Sequence, residues 1–177
     1  VCFNFLMDGV QYPDDLGKSM PFEEFYKKIA EGAEPTTAQV NTQQYMELFE
    51  PVLKEGKDIL HLTLSSGISG SINSANIAKA QLEEAYPERK VIIVDSLAAS
   101  SGFGMLVDMA LTRQQEGLSL EENAAWLEAN RTRLHHWFFS TDLTSFIRGG
   151  RISKVSGFVG QALNICPLMN VNSEGKL

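Results

Sequence analysis

The chain has 177 residues, 44% of them hydrophobic and 21% charged, an ordinary globular composition with room for one large domain or two small ones. Its net charge of −7 disfavours nucleic acid and anionic membranes as partners, because both select basic surfaces. The two cysteines, Cys2 and Cys166, fit no metal spacing and are too few for a disulfide framework, so the expected compartment is the reducing cytoplasm.

The apolar stretch 1–7 reads as a strand stopped by an Asp8-Gly9 turn, and it is too short for a signal-peptide core or a membrane span. Tyr12-Pro13-Asp14-Asp15 reads as loop. A helix is predicted from Pro21, with Ser19 as its cap and an apolar stripe of Phe22, Phe25, Tyr26 and Ile29, ending at Gly32. Residues 33–41 read as loop, and a second helix runs from Thr42 to Leu53, with Tyr45, Met46, Phe49 and Leu53 on one side. A strand over 58–64 follows, then a helix from Ser71 to Ala85 whose Ile72, Ala75, Ala78 and Leu82 are spaced to pack on a sheet.

Val91-Ile92-Ile93-Val94 is a continuous apolar run, the pattern of a strand covered on both faces. Helices are predicted from Phe103 to Glu116 and from Leu120 to Arg131, the latter with a Ser119/Glu122 capping box. Alternating strands and helices with fully apolar strands predict an α/β fold, a parallel sheet with helices on both faces. The texture changes near His135, which divides the chain into a first domain over 1–134 and the opening of a second over 135–177. There a strand at Trp137–Leu143 precedes a short helix, the turn Arg148-Gly149-Gly150-Arg151, a segment Ile152 to Leu163 and a strand from Ile165 to Val171. The two arginines read as a solvated or salt-bridged surface turn. A first residue other than Met, and a strand and turn at 171–177 with no following strand, predict a piece of a longer protein.

The chemistry concentrates in one turn. Ser65-Ser66-Gly67-Ile68-Ser69-Gly70-Ser71 joins the strand over 58–64 to the next helix, so hydroxyls and free backbone N–H groups are expected together at a helix N-terminus. No Lys or Arg lies in it, so a singly charged anion held by neutral donors is the expected guest: a carboxylate or a monoanionic phosphate. In parallel α/β sheets ligands bind beyond the carboxyl ends of the strands, where this turn and Asp95-Ser96 both lie. Asp95 itself is expected to hold neighbouring N–H groups rather than an anion. A nucleophile elbow would need Gly-x-Ser-x-Gly, and Gly67-Ile68-Ser69-Gly70-Ser71 misses its last glycine. His61, His135 and His136 share no spacing with a Cys or carboxylate that would hold a metal.

An ordered set of motifs resembles the DegV family of bacterial fatty-acid-binding proteins. They are Tyr12-Pro13-Asp14-Asp15, Phe25-Tyr26, Pro35-Thr36-Thr37-Ala38-Gln39, Ser65 to Ser71 with Asn73-Ser74-Ala75, Asp95-Ser96 with Gly102-Phe103-Gly104, Gly149-Gly150-Arg151-Ile152-Ser153 and Ile165-Cys166-Pro167-Leu168. The resemblance implies a parallel α/β domain followed by a second α/β domain with a largely antiparallel sheet. Between them would lie one long-chain fatty acid, with no other cofactor. It places the carboxylate at Ser69 and Thr37, with Ser66 and Gly70 beside them. Ile68, Phe103, Phe158, Val159, Leu163 and Ile165 are the candidates to line the tail. Ala38 and Val40 replace a Ser and a Pro of the family's Thr-Ser-Gln loop, and the first change removes one donor. The family's opening strand before Val1 and its part beyond Leu177, with a His-Thr-Gly-Pro-like stretch, are missing from this sequence. The implied role is that of a cytoplasmic carrier presenting its acid to a separate fatty-acid kinase, not that of an enzyme. The rivals are a serine hydrolase acting on a lipid ester and a phosphate-binding regulatory module.

Overall fold

A computed structural model describes residues 1–153 and 166–177. Met7 pairs with Val10 across Asp8 and Gly9, both at positive φ, and this tight turn makes an antiparallel hairpin of β1 (Asn4–Met7) and β2 (Val10–Pro13). Tyr12 and Pro13, expected in a loop, therefore belong to a strand. The loop expected over 33–41 likewise contains β3 (Thr36–Ala38), which pairs antiparallel with β1 and completes a three-stranded sheet ordered β2-β1-β3. Both strands are short and largely exposed, so they carry no apolar alternation to read.

Between them lies α1 (Phe22–Ala30). Its N-cap is Pro21 with no side-chain cap, because the Ser19 hydroxyl donates instead to the Asp15 carboxylate at 2.5 Å. Its predicted stripe exists but is not core: no residue of α1 is buried, and Phe22 and Tyr26 are 58% and 66% exposed.

The centre of the protein is a parallel pair, β4 (Ile59–Thr63) and β5 (Val91–Asp95), in the register Ile59 to Val91. Alternate side chains leave the pair in opposite directions. Ile59, Val91 and Ile93 pack with α2 (Thr42–Lys54) and α3 (Ser71–Ala85), against Tyr45, Phe49, Leu53, Ala78 and Leu82. Leu60, Leu62, Ile92 and Val94 pack with α4 (Ser100–Gln115) and α5 (Leu120–Asn130), against Leu106, Ala124 and Leu127. Helices therefore cover both faces, as the apolar strands predict. Capping boxes fix two of these helices, Asn41/Gln44 on α2 and the expected Ser119/Glu122 on α5. Helix α4 begins three residues earlier than Phe103.

After α5 a 3-10 turn (Arg131–Arg133) leads to β6 (Trp137–Phe139), α6 (Thr144–Arg148) and β7 (Leu168–Asn170). β6 and β7 pair antiparallel, Phe138 opposite Met169. Both are shorter than the strands expected over 137–143 and 165–171. Most of the segment expected from Ile152 to Leu163 lies outside the described residues.

Candidate functional site

β4 runs out at Thr63, and the chain turns before α3 begins at Ser71. Ser65, fully buried, organises this turn. Its amide donates to the Ala98 carbonyl, and its own carbonyl accepts from the Ile68 and Ser69 amides, all at 3.0 Å. Its hydroxyl accepts from the Gly67 amide at 3.1 Å and donates to the Gly175 carbonyl at 2.6 Å. The Asp95 carboxylate accepts from the Ser66 and Leu97 amides, both at 3.1 Å, which is the role expected of it.

The turn's amides are thus mostly satisfied by the turn itself and by Asp95 and Ala98 beyond it, which corrects the expectation of free N–H groups. Of the amides from Ser66 to Ser71, Gly70's alone has no partner among the described residues. The reason is the general pressure on buried backbone groups to find partners.

Ser69 is 8% exposed, and its Oγ lies 2.9 Å from the Ser71 Oγ and accepts from the Ser71 amide at 3.3 Å. The Ser71 hydroxyl accepts from the Val40 amide at 3.3 Å. The Gln39 side chain lies against Gly70, its Oε1 2.4 Å from where a Cβ would stand. The Val40 bond fastens the Thr37 segment to the serine turn. Thr37 itself is exposed on β3, opposite Phe5. It lines a cavity of about 320 Å³ with Phe3, Phe5, Phe22, Phe25 and Tyr26.

Ser66 is exposed. Ile68 is half-buried, and its carbonyl accepts from the Arg151 Nε at 3.1 Å. Arg148 pairs with Glu34 at 2.6 Å. Arg148 is the surface salt bridge expected, but Arg151 ties the glycine turn to the serine turn. Phe103 packs into the α4–α5 cluster with Leu106 and Leu127. Phe158, Val159, Leu163 and Ile165 lie outside the described residues. A larger cavity, about 510 Å³, follows the edge of β4 between Phe49 and Val52 on one side and Val107 and Leu111 on the other, and none of the expected contact residues lines it.

The histidines stand apart from this site. His61 lies edge-on to Tyr45 and Phe49, with ring centroids 5.3 and 5.1 Å away. Burial holds its imidazole down to about 4. His136 lies over Gly102, where a Cβ would fall 2.0 Å from its ring. Among the described residues no three His, Cys, Asp or Glu side chains gather as a metal site would require. Ser71, Val40 and Gly175 take parts in the site that sequence reasoning missed. Ser71 is visible as a hydroxyl in the turn, but its Val40 partner comes from 31 residues upstream, which no local pattern announces.

A parallel strand pair sandwiched by helices, with a hydroxyl-bearing turn beyond its carboxyl edge, defines an α/β protein with its candidate site at the strand ends. A family model described as uncharacterised protein, DegV family, matches residues 2–177, and the chain belongs to the DegV family. A DegV domain-containing protein of Clostridium perfringens is 39% identical over 171 residues, covering 97% of this chain and 59% of that protein. Among solved structures, a fatty-acid-binding DegV family protein from Thermus thermophilus superposes with a TM-score of 0.85 at 33% identity, covering 99% of this chain and 60% of that one. The Streptococcus pneumoniae Fatty Acid Kinase (Fak) B3 protein, loaded with linoleic acid, superposes at 0.87 with 27% identity, covering 100% and 61%. The chain therefore spans about 60% of the length of these relatives. No helix among the described residues is long and apolar enough to cross a membrane.

Proposed function

We propose that the protein carrying this chain binds one long-chain fatty acid and presents its carboxylate to a separate fatty-acid kinase in the cytoplasm. The observation that carries this reading is the Ser69 hydroxyl. It is nearly buried and hydrogen-bonded to Ser71, and it lies beside the Gly70 amide, which has no partner among the described residues. Two neutral donors suit a carboxylate, and they leave one of its oxygens free for phosphoryl transfer. Thr37 supplies a further hydroxyl from the fastened segment, with Ser66 at the rim. The tail runs against Ile68, Phe103, Phe158, Val159, Leu163 and Ile165, between a first domain over 1–134 and a second that begins at 135. At about 0.8 kcal/mol per buried CH₂ a long acyl chain is worth on the order of 10 kcal/mol before the costs of binding, so the tail sets affinity and the head group sets orientation. The fatty acids bound in the Thermus and Streptococcus relatives support the ligand class, and the kinase in the latter's name supports the partner.

A hydrolase would need a base on its nucleophile. Among the described residues no His, Asp or Glu hydrogen-bonds Ser69, whose partners are the Ser71 hydroxyl and amide. The test is lipid extraction of the purified protein followed by mass spectrometry. Ser69→Ala should retain fatty acid about tenfold less well than wild type, with the fold intact, as expected for one hydrogen bond to a charged acceptor. Undiminished retention, or stoichiometric labelling of Ser69 by a serine-reactive phosphonate, would overturn the reading.

A further inference from the structure

The serine turn is also held from far along the chain. The Ile68 carbonyl accepts from the Arg151 Nε at 3.1 Å, across 83 residues, and the Ser69 amide of the same peptide unit donates to the Ser65 carbonyl at 3.0 Å. A peptide unit is planar, so holding its C=O and its N–H together fixes the orientation in which the chain enters Ser69. Arg151 is itself steadied, because its Nη1 donates to the Gly149 carbonyl at 2.6 Å. A second anchor is the turn over 172–176, in which the Asn172 Oδ1 accepts from the Glu174 and Lys176 amides at 2.9 and 3.0 Å. This turn brings the Gly175 carbonyl to the Ser65 hydroxyl at 2.6 Å, across 110 residues. Gly175 is buried with φ at +73°, a conformation that glycine adopts without strain. A Cβ at Gly67 would stand 2.5 Å from the Gly175 carbonyl oxygen, so the two backbones meet with no room for a side chain between them.

We infer that Arg151 and the 172–176 turn are positioning elements that hold Ser69 in the orientation that meets a carboxylate, so that head-group binding depends on chain beyond residue 135 being docked on the serine turn. This rests on the fatty-acid reading above. Neither anchor bonds the Ser69 hydroxyl, whose partners are the Ser71 hydroxyl and amide. Arg151 commits two of its N–H groups to backbone carbonyls and acts on the peptide that precedes Ser69. Without the anchors the turn has to be ordered when the acid binds, and that ordering cost is subtracted from the affinity. The head-group site is therefore built on the strand-to-helix turn and braced from the other end of the chain.

The test is a double-mutant cycle, read by isothermal titration of octadecanoic acid into the delipidated protein that carries this chain. Arg151→Met should weaken binding about tenfold, the scale of one hydrogen bond from a charged group. In a Ser69→Ala background, with no hydroxyl left to orient, the same change should weaken it at most about twofold. Gly67→Ala puts a methyl against the Gly175 carbonyl and removes the other anchor without altering Arg151. It should show the same pattern, and it decides the matter if Arg151→Met does not fold. Losses that add in full in the double variants, as a merely structural role gives, overturn the inference, and so does undiminished affinity in the single variants. Wild-type protein that binds no octadecanoic acid, or Ser69→Ala that binds it as wild type does, overturns the fatty-acid reading instead.

Discussion

Two layers of this protein carry similar apolar patterns and treat them in opposite ways. Around β4 and β5 the stripes of α2 to α5 close on the sheet, and Phe49, Leu82, Leu106 and Leu127 are 1–2% exposed. In the layer of β1, β2, β3 and α1, a more strongly amphipathic helix than any of these buries nothing, and Leu16, Phe22 and Tyr26 stand 81%, 58% and 66% exposed. Periodicity therefore specifies which face of a helix is apolar, and a second surface decides whether that face becomes core. The serine turn belongs to the closed layer and Thr37 to the open one, so the two halves of the candidate site rest on foundations of different stiffness.

The sharpest way to break this contrast is to truncate one aromatic in each layer. Phe49→Ala should cost about 3–5 kcal/mol, because it empties a packed site between α2, α3 and β4. Phe22→Ala should change stability by less than about 0.5 kcal/mol. Denaturant unfolding of the two variants decides the matter, and equal losses would mean that α1 is packed as firmly as the core.

A smaller effect probes the closed layer from its edge. The His61 imidazole, held to about 4 by burial between Tyr45 and Phe49, resists a proton that the unfolded chain accepts near 6.5. Its contribution to stability is thus complete above pH 6.5, declines as the pH falls from 6.5 to 4, and is gone below that. Linkage gives a loss of about 2 kcal/mol between pH 6.5 and 5. His61→Phe should lack this slope over the same interval in urea titrations. A parallel slope in the variant would assign the pH dependence to other groups.

What was legible in the sequence follows the same division. The Val91–Val94 run and the Ser119/Glu122 box are local signals, and the structure contains both elements where they were expected. β2 and β3 were not legible, because three or four mostly exposed residues in a pairing set by β1 show no alternation of their own. At the site, Ser69 could be read because its turn joins a strand to a helix. The Ser65 bond to the Gly175 carbonyl could not, since it links residues 110 apart and depends on where the C-terminal turn comes to rest. The supply of free amides was overestimated for a related reason: a glycine-serine turn shows its donors in sequence but not the acceptors that the fold brings to them.

The smallest effect separates the layers at their helix ends. Helix α5 starts with a reciprocal box, in which the Ser119 hydroxyl accepts from the Glu122 amide while the Glu122 carboxylate accepts from the Ser119 amide at 2.8 Å. Ser119→Ala should therefore lower stability by about 1 kcal/mol. Ser19, three residues before α1, looks like the same kind of cap in sequence, yet its hydroxyl is spent on Asp15 and the first turn of α1 receives no side chain. Ser19→Ala should then leave the helicity of α1 unchanged and loosen only the 15–19 turn, where the Asp15 carboxylate still accepts from the Lys18 and Ser19 amides. Amide hydrogen exchange reads the two ends separately. Faster exchange in the first turn of α1 in Ser19→Ala would show that the open layer is capped after all, and that its exposed stripe is not the mark of a weaker foundation.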